Sequence, residues 1–430
     1  MAARAIIEFA RVHGYQLQNY PMTEIYILGG YQTDFARNWT REGKTLVNMI
    51  QECVYDGLKQ TQLDADKIET CHIGNFAGEL FLGQGMLGGV VAEAIPEFRG
   101  IPSNRHEAAC ASGSMAILSA IADIQAGFYN VACVLGMELM RNTDGRTAAG
   151  HLASAAWAGH EAQDSDYCWP HMFSKLHEVY EQRYGIDKKH LHAISKNNFA
   201  NAKNNPNAQG RGWQFEDNAF SCDNELNPVV DGYTRKLDCS QITDGAACVF
   251  LANKEFAEQH AKQYGYTLES IPRIKGWGHT TSRISFNAKV QDSQSETFIF
   301  PHINKAIGDA LNRAGLQDVW GVDGIETHDC FTVSEYMAIE HFGITQPGKA
   351  GEAVEANWIQ MGNRLPINAS GGLIGCGHPV GATGVRMLLD GYKQTTNQAG
   401  SYQIEGAKNI ATLNIGGTTT AVASFVVGTN

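Results

Sequence analysis

Residues 49–74, MIQECVYDGLKQTQLDADKIETCHIG, are similar to residues 304–331, NKAIGDALNRAGLQDVWGVDGIETHDCF. In each segment the apolar residues recur at the three- and four-residue spacing of a helix that buries one face. Each helical pattern ends at a leucine. A short loop then leads to the same tripeptide, IET, at residues 68–70 and 325–327, where a strand is predicted. The sequence therefore predicts two copies of one helix–strand unit.

The similarity continues outside these segments. A predicted strand precedes each copy, EIYILGGYQT at 24–33 and IPRIKGWGHTT at 271–281. Each copy is followed by a helical pattern and then by an apolar strand, NVACVLGME at 130–138 and NIATLNIGG at 409–417. Strands that alternate with helices predict an α/β fold, with mixed and largely parallel sheets covered by helices.

The composition is that of a globular protein. A length of 430 residues suits two or three domains. A content of 43% hydrophobic and 18% charged residues is typical of a folded chain. Apolar runs are interrupted before the roughly 18 residues that a membrane span needs. The net charge of −12 argues against a nucleic-acid-binding surface. We therefore expect neither a nucleic-acid nor a membrane partner.

The ten cysteines indicate free thiols. They have no regular spacing and form no C-x-x-C pair, which disfavours zinc ribbons and thioredoxin-like redox sites. No secretory signal is recognisable, so we expect a reducing, cytoplasmic location. Residues 1–21 are interpreted as an N-terminal extension. A transit peptide is a minor alternative, because the segment contains Glu8 and has no serine.

Cys110 is the first candidate catalytic residue. It lies in HEAACASGSMAILSAIADIQAG, residues 106–127, among small side chains and directly before a predicted buried helix. The unpaired N–H groups and the dipole at a helix N-terminus favour the thiolate, which is the nucleophile. The small neighbours leave room for a bulky electrophile. A small core residue is the alternative interpretation of an isolated cysteine.

The corresponding position in the second copy carries a histidine. NASGGLIGCGHPVGATG, residues 368–384, contains six glycines, one proline and one histidine, His378. Such a loop is interpreted as a rigid support for His378. If a pseudo-twofold axis relates the copies, Cys110 and His378 face each other and supply a nucleophile with a base. The alternative is a surface histidine in a flexible loop.

Four further residues could complete a site. His328 and Cys330, in IETHDCFTVSE, end the second repeat strand, and residues i and i+2 of a strand point to the same face. Histidine and thiolate also suit zinc, but the sequence offers no convincing full set of ligands, and we expect no metal. Gly416 and Gly417 follow a strand and could offer backbone N–H groups to an oxyanion.

The region between the copies, residues 145–236, lacks the repeat. It is rich in Asn, Gln, His and Trp, as in KNNFANAKNNPNAQGRGWQ. We interpret it as an insertion over the site that carries substrate contacts. A structural or oligomer-contact insertion is the alternative.

Taken together, these motifs resemble the thiolase family. CASGSMA, GMELM, DGAA, NASGGLIGCGHPVGATG and NIGG stand in thiolase order, and the resemblance extends from Met22 to the C-terminus. HDCF replaces the usual Asn-Glu motif, and Asn414 stands where ordinary thiolases have a second catalytic cysteine. Both departures resemble the sterol-carrier-protein-2-type thiolases and the related acetyl-CoA acetyltransferases. The resemblance implies the thiolase fold, with duplicated halves in α-β-α-β-α layers and an inserted loop domain.

The resemblance implies a role for each candidate residue. Cys110 would carry the acyl group as a thioester, and His378 would activate it. Cys330 would move the proton at the α-carbon. His328 and His378 would form an oxyanion hole for the enolate, and the N–H groups of Cys110 and Gly416 would form a second hole over the acyl carbonyl.

The family likeness also suggests substrate contacts and a domain arrangement. His171, Met172 and Ser240 would lie near the acyl and pantetheine portions of the substrate. The implied domains are an extension (1–21), an N-terminal half (22–144 and 237–268), an inserted loop domain (145–236) and a C-terminal half (269–430).

The implied activity is that of an acyl-CoA C-acyltransferase. It would run Claisen condensation of acetyl-CoA, or CoA-dependent cleavage of a 3-ketoacyl-CoA, in two ping-pong steps. CoA thioesters would be substrates, with no other cofactor, and the protein would be a homodimer or homotetramer. Two alternatives remain: a 3-ketoacyl-synthase-like or other C-acyltransferase with a non-CoA acceptor, and a non-catalytic acyl-CoA-binding subunit of a complex.

Overall fold

The computed structural model describes residues 23–216 and 218–429. The predicted N-terminal extension, residues 1–21, lies outside the described residues. Within the described ranges the strands are β1 (Tyr26–Gln32), β2 (Thr70–Gly74), β3 (Ser103–His106), β4 (Val131–Glu138), β5 (Val229–Asp231), β6 (Thr234–Arg235), β7 (Gly245–Ala252), β8 (Arg273–Thr281), β9 (Gly324–Thr327), β10 (Asn409–Gly416) and β11 (Ala421–Gly428).

The helices alternate with these strands as the repeat predicts. In the described part of the chain they are α1 (Leu46–Thr61), α2 (Gly78–Leu82), α3 (Leu87–Ala94), α4 (Ser112–Gln125), α5 (Gly145–Leu152), α6 (Cys168–Tyr184), α7 (Lys188–Ala202), α8 (Lys254–Tyr264), α9 (Phe286–Asp292), α10 (Pro301–Arg313), α11 (Thr332–His341), α12 (Ala350–Glu355) and α13 (Thr383–Thr395). None of them is long and apolar enough to cross a lipid bilayer.

The sheet topology shows the duplication. Nine strands form one sheet in the order β3-β2-β4-β7-β1-β8-β11-β10-β9. β2 is parallel to β4, β4 is antiparallel to β7, and β7 is antiparallel to β1. The second part repeats this pattern, since β9 is parallel to β10, β10 is antiparallel to β11, and β11 is antiparallel to β8. The predicted α/β fold with a mixed, duplicated sheet is confirmed. The expectation of largely parallel sheets is wrong, because the described strands form one main sheet in which three of the eight neighbouring pairs, β3–β2, β2–β4 and β9–β10, are parallel.

The two parts of the sheet meet at β1 and β8, through the antiparallel pair of Tyr26 and Arg273. The predicted opening strands of the two copies are therefore neighbours in the sheet. One boundary differs from the prediction. β2 begins at Thr70, because a 3-10 turn at Ala65–Lys67 runs directly into residue 68.

Helices α4 and α13 occupy equivalent places in the two copies and pack against each other. Both contribute to an apolar cluster that also contains residues of β1, β4, β7 and β11. Gly113, in the first turn of α4, permits this packing. A Cβ atom there would lie 2.7 Å from the carbonyl oxygen of Gly381, just before α13. The N-terminal ends of the two helices therefore meet, and this contact positions the site.

The region between the copies folds over this junction. It contains α5, α6, α7 and the small β5–β6 hairpin. Apolar residues of α6 and α7 pack in one cluster with residues of α11, from the second copy. This packing places the start of α6 beside the loops that carry the candidate site residues.

Candidate active site

A cavity of about 250 Å³ lies between the loop after β3, the loop before α13 and the start of α6. Cys110, Cys330 and His378 line it. Most of the wall is apolar and is formed by Phe76, Met140, Leu152, Trp169, Phe173, Phe331 and Val380. An apolar cavity with thiols and an imidazole in its wall suits a substrate that joins an apolar group to an electrophilic carbon.

Cys110 lies in a tight turn, Ala109–Ala111, directly before α4. Ala109 has a φ of +52°, in the left-handed region that costs a non-glycine residue roughly 1–2 kcal/mol. Three hydrogen bonds hold this conformation. Ser112 Oγ accepts from the N–H of Ala108 and donates to the carbonyl of Ala109, and a Glu107 carboxylate oxygen accepts from the N–H of Ala109. The thiol is therefore presented by a strained but well-supported turn.

The electrostatic prediction for Cys110 is wrong in direction. Burial raises the pKa of its thiol to about 12, and hydrogen bonds from the backbone N–H groups of Gly417 and Cys110 itself lower it only in part. The helix dipole does not offset the loss of solvation, because the apolar cavity wall surrounds the sulfur. The thiol is therefore protonated near neutral pH, and its reaction requires a base.

His378 supplies an imidazole at the required place. Its ring nitrogen, a nitrogen of His328 and the sulfur of Cys110 all lie within 4.8 Å of one another. The Nδ1 atom of His378 is 2.7 Å from Thr383 Oγ1, which in turn donates to the carbonyl of Pro379. Nδ1 therefore donates, and the lone pair of the neutral ring is on Nε2. This Nε2 atom is buried and has no partner in the described residues.

The environment keeps His378 neutral. Burial, with a smaller contribution from the positive charge of Arg386, lowers the pKa of its imidazole to about 3. A neutral imidazole with a free Nε2 is the form that accepts a proton. The resting pair is thus a neutral thiol beside a neutral imidazole.

His328 follows β9 and is the second imidazole of the site. Its ring lies 5.2 Å from that of His378, centroid to centroid, and the two planes are nearly perpendicular, at 87°. Its Nδ1 atom is 3.2 Å from the side-chain nitrogen of Asn414. Burial lowers the pKa of His328 well below its usual value, and proximity to His378 lowers it further.

Cys330 is buried and lines the same cavity as Cys110. Its sulfur is 3.9 Å from Ser334 Oγ. Burial raises the pKa of its thiol well above the usual value, and the neighbouring Cys110 raises it further. The predicted placement of His328, Cys330 and His378 around one thiol therefore agrees with the structure.

A buried carboxylate links the two histidine-bearing segments. Asp329, between His328 and Cys330 in the sequence, accepts hydrogen bonds from the N–H groups of Leu373 and Ile374. These belong to a turn of π-helix, Gly372–Cys376, that leads directly to His378. A Cβ atom on Gly372 would lie within 2.3 Å of the Asp329 carboxylate. Glycine at this position thus allows the loop backbone to approach the Asp329 carboxylate closely.

Of the three predicted substrate contacts, Ser240 lies at the cavity, whereas His171 and Met172 do not. Ser240 lines the cavity, and its N–H donates to the carbonyl of Cys330 at 2.9 Å. His171 instead pairs with Asp231, with 3.1 Å between Nδ1 and Oδ1, and Met172 is buried in the core. Neither lines the cavity, because the cavity-facing side of α6 carries Trp169, Pro170 and Phe173.

The candidate oxyanion N–H is shifted by one residue. Gly416 ends β10 against the backbone of Ala108, where a Cβ atom would lie 2.1 Å from the carbonyl oxygen. Gly417 lines the cavity, and its N–H is the one that hydrogen-bonds the Cys110 sulfur. Of the two glycines predicted to offer N–H groups, Gly417 is therefore the one that faces the cavity.

Sequence reasoning missed Thr383, the hydrogen bonds of Asn414, and Asp329 as a link. A hydroxyl in the first helical turn after a histidine was an available signal for Thr383. The contacts of Asn414 join residues about 300 positions apart, and no local pattern marks them.

The residues also define what the site could hold. In the described part of the chain, Cys110, His328 and His378 are the one group of three potential ligands whose donor atoms lie within 4.8 Å of one another. Thiolate and imidazole suit a soft divalent ion, while a neutral thiol beside a free imidazole nitrogen suits proton transfer. In both histidines Nδ1 is occupied by a hydrogen-bond contact, which leaves Nε2 as the ring nitrogen available to the thiol.

Comparison with known proteins agrees with the motifs. The thiolase N-terminal domain model matches residues 25–218, and the model of the thiolase C-terminal domain-like family matches residues 285–429. An acetyl-CoA acetyltransferase of Methanothermobacter thermautotrophicus is 30% identical, over 94% of this chain and 100% of that protein. Sterol carrier protein 2 of Oryctolagus cuniculus is 28% identical, over 92% of this chain and 70% of its own length.

A solved structure has the same fold. The Acat5 thiolase of Ascaris suum, in complex with coenzyme A, superposes with a TM-score of 0.64 at 16% identity. The match covers 95% of this chain and 100% of that one.

Proposed function

The chain belongs to the thiolase family and is an acyltransferase, and we propose that its chemistry proceeds through an acyl group carried on Cys110. One observation carries this proposal: the Cys110 sulfur lies within 4.8 Å of the His378 ring, whose Nε2 is buried and unpartnered. The substrates are CoA thioesters. The coenzyme A in the Acat5 structure supports CoA as the acyl acceptor.

In the cleavage direction, the Cys110 sulfur attacks the 3-keto carbon of a 3-ketoacyl-CoA, and its proton passes to His378 Nε2. The bond between C2 and C3 then breaks, and its electron pair forms the enolate of the departing acetyl-CoA. His328 and His378 stabilise the enolate oxygen, as an oxyanion hole does. The acyl group remains on Cys110 as a thioester.

Cys330 completes this step. Its raised pKa keeps the thiol protonated, so that it can donate a proton to the α-carbon of the enolate. The thiol of CoA then attacks the acyl-Cys110 thioester and gives its proton to the Cys330 thiolate. The bond between the acyl carbon and the Cys110 sulfur breaks, the sulfur regains its proton from His378, and the shortened acyl-CoA is released. The N–H groups of Cys110 and Gly417 would hold the charge on the acyl carbonyl during both transfers. Condensation of acetyl-CoA is the reverse sequence.

We also propose a homo-oligomer in the cytoplasm. β3 is an edge strand of the sheet, and it leaves one row of backbone groups open to a second copy of the chain. A reducing compartment fits a mechanism that requires two free thiols, Cys110 and Cys330.

The test is direct observation of the acyl-enzyme. The protein is incubated with acetoacetyl-CoA, digested under acid conditions and analysed by mass spectrometry. We expect an acetyl group on the peptide that contains Cys110 and none on the Cys110→Ser variant. A wild-type protein without the adduct, in the presence of bound acetoacetyl-CoA, would favour the acyl-CoA-binding subunit.

A further inference from the structure

Asn414 connects the nucleophile to the second imidazole. It is a buried residue of β10, and its side chain lies between α4 and His328. Its Oδ1 atom accepts a hydrogen bond from Ser114 Oγ at 2.7 Å. Its Nδ2 atom donates to the carbonyl of Cys110 at 3.1 Å and lies 3.2 Å from His328 Nδ1.

These partners fix which way the amide points. The carbonyl of Cys110 can only accept, so the amide atom that faces it must be the NH₂ group. The opposite orientation would bring two oxygens together. Room for the Ser114 contact is provided by Gly384 of α13, where a Cβ atom would lie 2.3 Å from Ser114 Oγ. The Cys110 carbonyl thus sets the orientation of the amide, and the Ser114 hydroxyl can donate to the oxygen that this orientation presents.

The orientation determines the tautomer of His328. One Nδ2 hydrogen goes to the Cys110 carbonyl, and the other is directed at His328 Nδ1. That nitrogen must then accept, and a neutral imidazole with an accepting Nδ1 carries its proton on Nε2. His378 has the opposite arrangement, because its Nδ1 donates to Thr383.

We propose that Asn414 is a positioning residue that holds His328 as the Nε2–H tautomer, so that His328 is a constant hydrogen-bond donor to the enolate oxygen. The proposal deepens the function proposed above and rests on it. A histidine with its proton on Nδ1 would present a lone pair to the developing negative charge and would repel it. His328 is thereby reserved for donation, and His378 for proton transfer.

The same tautomer bears on metal binding. A ligating imidazole nitrogen must be free of its proton. With the proton held on Nε2 and Nδ1 occupied by Asn414, His328 offers no free nitrogen. The hydrogen-bond network therefore favours acyl transfer over metal binding at the three residues that lie close enough to share an ion.

The first measurement is made on the wild-type protein. Nitrogen-15 spectra of protein labelled at histidine distinguish protonated from unprotonated ring nitrogens, and the His328 signals are those lost in His328→Gln. We expect the proton on Nε2. A proton on Nδ1 would overturn the proposal, and this result needs no variant of Asn414 to fold.

The second measurement separates the two half-reactions in Asn414→Leu, which keeps the volume and removes the amide. Loss of one oxyanion donor costs about 10²–10³ in kcat, so we expect acetoacetyl-CoA cleavage to fall by that factor with KM little changed. Acetylation of Cys110 by acetyl-CoA uses the other hole, so its rate should fall much less than the rate of cleavage, although the variant also loses the hydrogen bond to the Cys110 carbonyl. The His328 spectrum should show the proton no longer confined to Nε2.

Thr412→Val is the matched control. Thr412 is also buried on β10, two residues before Asn414, and its Oγ1 accepts from the N–H of Phe425. We expect this variant to keep both half-reactions. Equal losses of acetylation and cleavage in Asn414→Leu would indicate a structural role and contradict the proposal. A wild-type protein that forms no acetyl-Cys110 would contradict the proposed function instead, whatever the tautomer.

Discussion

His328 and His378 lie with their rings perpendicular and their centroids 5.2 Å apart, and their Nδ1 atoms have opposite hydrogen-bond roles. Thr383 accepts from Nδ1 of His378, whereas Asn414 donates to Nδ1 of His328. In the proposed mechanism, Nε2 of His378 therefore accepts a proton and Nε2 of His328 donates one in a hydrogen bond. Two residues of one type would thus perform two functions because their Nδ1 atoms have different partners.

Thr383→Val tests the support of the base. Valine has nearly the same shape but cannot accept from His378 Nδ1, so the ring loses its fixed tautomer. Loss of such a supporting hydrogen bond typically costs about 10–100-fold, and we expect the rate of Cys110 acetylation to fall by that amount. The measurement is the single-turnover rate with acetyl-CoA.

A control for this variant lies on the same helix. Thr395 donates from Oγ1 to the carbonyl of Gly391 at 2.8 Å, at the far end of α13. Thr395→Val should acetylate at the wild-type rate. Acetylation of Thr383→Val at the wild-type rate would show that the Thr383 hydroxyl is not needed for His378 to act as the base.

Cys330→Ala tests the proton donor to the α-carbon. A positioned acid contributes about 10²–10⁴-fold, and we expect steady-state cleavage of acetoacetyl-CoA to fall within that range. Acetylation of Cys110 by acetyl-CoA should persist, since it moves no proton at the α-carbon. The two rates are measured on the same preparation.

Cys71→Ala is the control for loss of a buried thiol, because Cys71 lies in the core of the first copy. It should keep both rates. Full cleavage by Cys330→Ala would argue against a thiolase mechanism and favour one in which Cys110 and two histidines suffice, as in a 3-ketoacyl synthase.

Arg386→Met tests a buried ion cluster beneath the site. The Arg386 guanidinium is fully buried and donates to Glu326 at 2.9 Å and to Asp390 at 2.8 Å. Removal of the arginine leaves the buried Glu326 carboxylate without its cation and leaves Asp390 with Lys393, 3.9 Å away, as its remaining one. We expect the free energy of unfolding to fall by about 3–5 kcal/mol, as measured by urea denaturation.

The comparison is with an ion pair at the surface. Lys305 contacts Asp309 on α10, and the lysine side chain is 65% exposed. Lys305→Met should change the free energy of unfolding by no more than about 1 kcal/mol, because solvent screens the pair. Similar losses in both variants would contradict the assignment of the buried cluster as a stabilising element.

Glu335→Gln tests a pH dependence of stability. Burial, with a smaller contribution from the neighbouring Asp329, raises the pKa of Glu335 from 4.5 to about 8. Between these two pH values the folded protein holds a proton that the unfolded chain has released, so the stabilisation is complete below 4.5 and is lost by the time the pH has passed 8. We expect the wild-type free energy of unfolding to fall as the pH rises from about 4.5 to about 8 and to level off above that.

The glutamine variant should lose less stability over the same interval, because it cannot ionise. Its side chain can still accept from Asn198 and Asn368, the partners of the Glu335 carboxylate. Urea denaturation across the interval provides the measurement. Parallel pH curves for the two proteins would show that Glu335 does not titrate there.

The sequence predicted the duplication because apolar spacing records which face of each element is buried. Helices α1 and α10 and the strands around them follow that pattern, and the sheet order repeats as expected. The same duplication predicted the meeting of Cys110 and His378, because a pseudo-twofold axis brings equivalent positions of the two copies together. The two residues are 268 positions apart in the sequence.

The features that were not predicted depend on contacts between distant segments. The raised pKa of Cys110 depends on apolar walls from several parts of the chain, which a motif does not show. His171 and Met172 were placed at the site by likeness alone, and the phase of α6 turns them away from the cavity. The division of roles between the two imidazoles required the orientation of one amide, which appears only in three dimensions.

The contact of Gly113 with Gly381 has a consequence for how this protein can fail. The Cys110 sulfur and the His378 nitrogen, which exchange a proton in the proposed mechanism, come from different copies. Direct backbone contact between the copies sets the distance between these two atoms. A single methyl group at that contact would push the two helix ends apart and separate the sulfur from the nitrogen, although every strand and helix remained intact. Such a protein would be well folded and inert.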